Sequence, residues 1–149
     1  WGVLILFGGG LALAAATEAN GVAQSIGSLT RGFTGWPIAA VVVVVITLMV
    51  FMSELTSNTA QVATMLPILA ALAPVLGVPP ALLLLPATIA ASCAFLMPVG
   101  TPPNAIVFGT GLVRMPQMMK AGFWLNLCGI LLITGITYVI IAPLLLAGR

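Results

Sequence analysis

Long apolar runs cover most of this chain, and a few short polar stretches separate them. The runs extend over about residues 1–16, 36–52, 60–78, 81–99, 103–113 and 121–147. A helix that crosses a bilayer needs about 20 mainly apolar residues. The first and last runs therefore each predict one spanning helix. Residues 18 to 35 are polar and rich in glycine, which predicts an interfacial connection between the first run and the rest.

Two polar interruptions divide the apolar stretch between residues 36 and 113. They are "SELTSNTA" at 53–60 and "MPVGTPPN" at 97–104, and Pro79-Pro80 lies between them. Asn58 precedes Pro79 by 21 residues, and Thr101 follows Pro80 by 21. Two antiparallel helices leaving one turn would therefore reach the interruptions at similar depth. Prolines within these helices kink them and make the match approximate.

Residues 36–78 fit two topologies. One is a re-entrant hairpin with its tip at residues 57–59, and the other is two full spans joined by a loop on the far side. Both return the chain to the same membrane face, so loop charges do not separate them. Arg114 and Lys120 share one connection, and the positive-inside rule favours a cytoplasmic position for it.

The composition excludes several classes of protein. Hydrophobic residues make up 62% of the chain and charged residues 4%, whereas soluble domains carry about a quarter charged residues. Lipid is therefore the expected solvent, in a multi-pass protein of the cell (inner) membrane. The chain has no histidine, which excludes histidine-dependent hydrolase triads and zinc sites. A net charge of +2 with no basic patch gives no indication of nucleic acid.

Each interruption predicts a helix end, a short linker and a new helix start. Ser57 or Asn58 is a good N-cap for a helix that begins near Thr59. Thr101 is a good N-cap for a helix with Pro102 at its first position. The free N–H groups at a helix start and the positive end of its dipole suit an anion.

The helix ends at the same interruptions suit a small cation. The last carbonyl groups of each helix are free. At the first interruption, Ser53, Thr56 and Asn58 add neutral side-chain oxygens. At the second interruption, Gly100 allows the backbone to approach a ligand closely. Discontinuous helices that bind an anion and a coupling ion near the midplane are typical of secondary transporters.

Two motifs also resemble a known family, the divalent anion:sodium symporters, which carry dicarboxylates, citrate or sulfate. "SNT" at 57–59 is similar to the motif at the tip of that family's re-entrant hairpin. "ASCAFLMPVGTPPNAIV" at 91–107 resembles the family signature, and "WGVLILFGGG" at the start resembles the helix before the hairpin. The signature positions are Ser92, Phe95, Pro98, Gly100, Asn104, Ile106 and Val107.

The resemblance implies an all-α integral membrane fold, one inverted repeat of an elevator-type transporter. It implies a scaffold helix at 1–20, an interfacial connection at 21–35 and one half of a transport domain at 36–149. That half would contain a re-entrant hairpin at 36–78, a broken helix at 81–113 and a final helix at 121–147. The chain would then be the C-terminal half of a homodimeric transporter whose N-terminal half is missing.

The resemblance also implies a site. Its sodium ligands would be Ser53, Thr56, Asn58 and Gly100, and its substrate ligands would be Ser57, Asn58, Thr59, Thr101 and Pro102. Sodium would be the coupling ion, with no organic cofactor, and the substrate a small anion of the succinate, malate or citrate class. Ser53 replaces the threonine expected there and Gly100 replaces a common alanine, and both positions keep the needed oxygen.

Some alternatives stay open. Glu54 could bind a cation, carry a proton or cap a neighbouring helix, and we expect a structural hydrogen-bonding role away from the substrate. Asn126 could form an interhelical hydrogen bond or line a distant part of the path. Gly8, Ala12 and Ala16 predict a face for close helix contact. The alternative functions are a sulfate carrier, a dicarboxylate exchanger, or an inactive truncated membrane subunit.

Overall fold

All regular secondary structure in the described part of the chain is helical. The computed structural model describes residues 37–147, together with Gly8, Ala12, Ala16, Ala19 and Asn20. Its elements are α1 (Ile38–Ser53), α2 (Asn58–Val75), α3 (Ala81–Ala90), α4 (Pro102–Gly109), α5 (Met115–Ile136), a π-helical segment (Thr137–Ile141) and α6 (Ala142–Ala147). The all-α prediction is confirmed for these residues.

The predicted scaffold helix and interfacial connection lie outside the described residues, apart from isolated positions. Gly8, Ala12 and Ala16, which form the predicted small-residue face, are helical and exposed. Among the residues that the structure describes, two helices are long and apolar enough to cross a membrane: Asn58–Val75 and the continuous helix Met115–Leu145.

A linker of residues 54–57, called the hairpin tip below, joins α1 to α2, so Asn58 and Thr59 of the tip predicted at 57–59 belong to α2. A glycine ends α2. Gly77 has φ of 69°, the left-handed conformation that glycine adopts most easily. Its N–H donates to the Pro74 carbonyl at 3.1 Å, and the Val78 N–H donates to the Ala73 carbonyl at 3.1 Å. This pair of bonds is a Schellman motif, which closes the helix and satisfies its last carbonyl groups. The chain then turns through Pro79 and Pro80 into α3.

The core lies where α1 packs against α3 and α5, while α2 packs mainly against α3. Successive turns of α1 contribute Val42, Ile46, Met49 and Val50 to it, all nearly inaccessible to solvent. The opposite face of α1 exposes Val44, Leu48 and Phe51. Helix α1 thus buries one apolar stripe in the protein and leaves another apolar stripe outside, as expected for a chain whose solvent is lipid.

Two element boundaries differ from those predicted. The break (residues 91–101) between α3 and α4 starts six residues before the predicted "MPVGTPPN". Within it, backbone N–H groups donate to the Glu54 carboxylate instead of to the carbonyl groups of a continuing helix. The final helix begins at Met115 instead of residue 121. The Gln117 side chain accepts a hydrogen bond from the Arg114 N–H at 3.0 Å, so the polar residues before the apolar run form the first turn.

Candidate functional site

One carboxylate joins the hairpin tip to the break. Glu54 follows the last residue of α1 and is 4% exposed. Its Oε1 accepts hydrogen bonds from the Phe95 N–H at 2.8 Å and the Leu96 N–H at 3.0 Å. Its Oε2 accepts from the Leu96 N–H at 3.1 Å and the Met97 N–H at 3.1 Å. Three consecutive backbone N–H groups therefore point at one buried anion.

Helix α5 contributes a fourth donor to the same carboxylate. The Asn126 side chain is fully buried, and its Nδ2 donates to Glu54 Oε1 at 2.7 Å. One turn earlier, Gly122 lies so close to the break that an added Cβ would overlap the Phe95 carbonyl and lie 2.7 Å from the Leu96 Cα. The expected hydrogen-bonding role of Glu54 and the interhelical bond of Asn126 are both confirmed.

Ser53 makes a second link between the hairpin and the break. Its side chain is fully buried. Its hydroxyl lies 2.7 Å from the Val50 carbonyl and 3.3 Å from the Cys93 carbonyl, and it donates its single proton within this pair. The oxygen keeps its lone pairs, so it remains available to a cation.

Gln61 is a structural residue that the sequence analysis missed. It is 3% exposed on the first turn of α2. Its Nε2 donates to the Met49 carbonyl of α1 at 2.8 Å, and its Oε1 lies 3.3 Å from the Thr56 hydroxyl, as an alternative acceptor to the Met52 carbonyl for the single hydroxyl proton. It therefore braces the two legs of the hairpin just behind the tip. A lone glutamine at the start of an apolar helix was the available signal.

Asn104 performs a similar task at the break. Its Nδ2 donates to the Ala94 carbonyl at 2.7 Å and to the Met97 carbonyl at 3.0 Å. These two bonds tie the first turn of α4 back to the break. Gly100 lies inside this turn, and its N–H also donates to the Met97 carbonyl, at 3.1 Å. An added Cβ on Gly100 would lie 3.1 Å from the Ala94 Cβ and 3.4 Å from Glu54 Oε2.

Two of the four predicted sodium ligands, Ser53 and Gly100, lie where the hairpin and the break meet, and the other two, Thr56 and Asn58, lie in the tip and at the start of α2. Asn58 is half-buried, and its Oδ1 is buried with no hydrogen-bond partner within the described structure. A buried acceptor without a donor is costly in a protein, and a cation would satisfy it. Thr56 donates its hydroxyl proton to the Met52 carbonyl at 2.9 Å. The side-chain oxygens of Ser53, Thr56 and Asn58 and the backbone carbonyl of Gly100 are the type of ligand that a small hard cation prefers.

The predicted substrate ligands lie at the two helix starts. Helix α2 begins at Asn58 after Ser57, and α4 begins at Pro102 after Thr101. The predicted cap positions are therefore confirmed, but neither cap side chain makes its capping hydrogen bond. For Thr101 the cause is local, because Pro103 occupies the second helical position and has no N–H to offer.

The unused cap leaves backbone N–H donors free at the start of α2, whereas the start of α4 offers only the Asn104 N–H, because Pro102 and Pro103 have none. Ser57, Thr59 and Pro102 are exposed, and Thr101 is half-buried. In the described residues, no hydrogen bond joins the start of α2 to the start of α4, and the link between the hairpin and the break passes through Glu54 and Ser53. The residues described contain no group of three acidic, histidine or cysteine side chains that could hold a metal ion. A cation here would depend on neutral oxygens.

A family model and individual known proteins indicate the same family for this chain. The model of the sodium:sulfate symporter transmembrane region matches residues 1–146. The sodium-dependent dicarboxylate transporter SdcS of Staphylococcus saprophyticus is 47% identical over 145 residues, which cover 97% of this chain and 28% of that protein. SdcS of Staphylococcus aureus strain MRSA252 is 47% identical over 140 residues, covering 94% of this chain and 27% of that protein.

The chain spans little more than a quarter of the length of the curated relatives that it matches. The shared stretch is therefore smaller than the half that the motifs led us to expect.

Proposed function

The chain belongs to the family of the sodium:sulfate symporter transmembrane region, and on this premise we propose that it forms part of the ion and anion site of a sodium-coupled dicarboxylate transporter. The family consists of integral membrane transporters and not of enzymes. The relatives at 47% identity are sodium-dependent dicarboxylate transporters. The substrate of this protein would be a small anion of the succinate, malate or citrate class.

One observation supports this proposal most strongly. Asn58 combines a buried Oδ1 that lacks a partner with a place in the first turn of a helix whose cap is unused. A side-chain amide has an oxygen that accepts and a nitrogen that donates. The Asn58 oxygen would bind sodium, and its nitrogen would donate to a substrate carboxylate together with the free N–H groups of the helix start.

The remaining residues divide between the two ligands. Sodium would be bound by Ser53, Thr56, Asn58 and the Gly100 backbone. The carboxylate would be bound by Ser57, Asn58, Thr59, Thr101 and Pro102, the last through its place at the start of α4. The donors would be hydroxyl groups, amides and helix dipoles.

The lack of positive charge among the proposed ligands would couple binding of the anion to binding of sodium. Arg114 and Lys120 are exposed beyond the break, at the start of α5. None of the proposed ligands carries a positive charge, so an anion would meet its full desolvation cost without a cation. Bound sodium supplies that charge, and each ligand then favours binding of the other.

The larger assembly follows from the same proposal. The hairpin at 36–78 would be re-entrant, and residues 36–149 would move as part of a transport domain against a scaffold that includes residues 1–20. The connection at 21–35 would lie at the membrane interface. The complete transporter would supply a second, inverted repeat and would assemble as a homodimer in the cell membrane.

Uptake of radiolabelled succinate tests the proposal. The full-length transporter that contains this chain would be reconstituted in proteoliposomes, with an inward sodium gradient or with potassium in its place. We expect uptake only with the sodium gradient. Equal uptake in both conditions would contradict sodium coupling, and no uptake of either a dicarboxylate or sulfate would favour an inactive membrane subunit.

Sulfate is the second candidate substrate, because the matching family model is that of sodium:sulfate symporters. Competition of unlabelled sulfate and succinate against labelled succinate separates the two. Exchange would be detected with proteoliposomes preloaded with dicarboxylate: symport needs no internal substrate, whereas an exchanger takes up label only when internal substrate is present.

A further inference from the structure

We propose that Glu54 is an internal anion that holds the break in shape and thereby positions Gly100 and the start of α4 for ligand binding. Glu54 is a positioning residue, which touches neither sodium nor substrate. This inference rests on the proposed function, because positioning is measured through sodium and substrate.

The acceptor capacity of Glu54 is fully used by the protein. Its two oxygens accept from four donors: the N–H groups of Phe95, Leu96 and Met97, with the Leu96 N–H shared between both oxygens, and the Asn126 amide. An ionised carboxylate offers about four lone-pair sites. A sodium ion at Glu54 would have to displace one of these donors, so direct ligation of the ion is disfavoured.

Consecutive backbone N–H groups that converge on one point form an anion-binding nest. The nest of Phe95, Leu96 and Met97 would attract a substrate carboxylate or chloride if it were empty. Glu54 fills it from within the chain. This resolves the conflict of a carboxylate close to an anion site, because its charge is directed at these N–H groups and the Asn126 amide.

The nest and the binding groups share one residue. Met97 donates its N–H to Glu54, and its carbonyl accepts from both the Gly100 N–H and the Asn104 side chain. A shift of Met97 would therefore move the turn that carries Gly100 and Thr101. The turn also packs tightly at Gly100, since an added Cβ there would lie 3.1 Å from the Ala94 Cβ and 3.3 Å from the Met97 carbonyl oxygen.

The first test compares Glu54→Gln with the wild type in the full-length transporter, in proteoliposomes. Glutamine has nearly the same shape but replaces one acceptor oxygen by an NH₂ group, which would face N–H donors. We expect the sodium concentration for half-maximal uptake to rise roughly tenfold or more, with a smaller rise in the KM for succinate. Unchanged sodium dependence in Glu54→Gln would overturn the proposal.

The second test is chemical rescue of Glu54→Ala by potassium formate at constant sodium. Formate supplies the missing carboxylate, so we expect a saturable recovery of uptake, at least several-fold, and no effect on the wild type. Formamide has a similar size without charge and should not rescue. The matched control is Gln61→Ala, which removes another buried polar side chain near the tip but leaves no empty nest, and formate should not restore it.

The outcomes distinguish failure of the proposed transport function from failure of the proposed role of Glu54. A wild type without sodium-dependent uptake contradicts the proposed function. A sodium-dependent wild type, with a folded Glu54→Ala protein that formate fails to restore, contradicts only the role of Glu54. If Glu54→Ala folds only when formate is present, as judged by a monodisperse peak in size-exclusion chromatography, the nest is supported directly.

Discussion

The Asn126 amide nitrogen lies 2.7 Å from the Glu54 carboxylate, although 72 residues separate the two in the chain. Through this bond α5 meets the hairpin tip and the break at a single buried point. The same carboxylate binds the backbone of the break, so three elements share one anchor. The two helix breaks thus have a fixed relation to each other that neither could establish alone.

Among the glycines that the structure describes, Gly122 should be the least replaceable. A Cβ at this position overlaps the Phe95 carbonyl and comes within 2.7 Å of the Leu96 Cα, which are backbone atoms. Gly122→Ala should push α5 away from the break and destabilise the protein by about 1–3 kcal/mol, the usual cost of overpacking. Thermal unfolding of the full-length transporter in detergent measures this cost.

The matched control is Gly129→Ala on the same helix, where the nearest atom to the new Cβ is the Cys93 Sγ at 3.8 Å. This substitution should leave the unfolding temperature close to that of the wild type. Equal loss of stability in both variants would indicate a general intolerance of α5 to alanine and would contradict the close packing of Gly122 on the break.

Gln61 should stabilise the hairpin through its buried bond to the Met49 carbonyl. Gln61→Leu introduces an apolar side chain of similar size. It removes the bond to Met49 and the amide oxygen beside the Thr56 hydroxyl. We expect a loss of about 1 kcal/mol in the free energy of unfolding, with faster hydrogen exchange at residues 54–57. Gln117→Leu on the exposed start of α5 is the control. A larger loss there than at Gln61 would be inconsistent with a bracing role.

Gly77 should resist substitution for a conformational reason, since its φ of 69° is unfavourable for any residue with a Cβ. Gly77→Ala has open space around the new methyl group, so its effect isolates the backbone. We expect destabilisation by about 1–2 kcal/mol, read from the same unfolding assay. Gly109→Ala, also in open space but without a positive φ, should be neutral or stabilising, and similar losses in both would refute this reasoning.

The helix starts and the polar interruptions could be predicted from the sequence because they depend on local chemistry. Ser57, Thr101 and Pro102 are favoured at helix starts, and α2 and α4 begin where these residues indicate. The family also follows from local motifs. The predicted roles of the individual ligands stay predictions until binding is measured.

The buried faces could not be predicted, because the apolar pattern gives no direction. Valine fills positions 41 to 45, yet Val42 and Val45 are buried while Val43 and Val44 are exposed. In lipid both faces of a helix are apolar, so hydrophobicity does not mark the side that contacts protein. Tertiary contacts decide it.

The early start of the break has a tertiary cause as well. Nothing in the local sequence "ASCAF" ends a helix, since the nearest proline downstream is Pro98. The N–H groups of Phe95, Leu96 and Met97 are satisfied by Glu54, a residue more than 40 positions earlier. The local sequence therefore predicts the existence of the break but not its length.

The shared ligand Asn58 provides the most direct test of the whole account. In the full-length transporter, the sodium dependence and the succinate dependence of uptake would be measured for the wild type and Asn58→Ala. The account predicts that the half-saturating concentrations of sodium and succinate both rise, each roughly tenfold or more, because one amide serves both ligands. A variant that loses affinity for only one of the two would contradict a shared site at the hairpin tip.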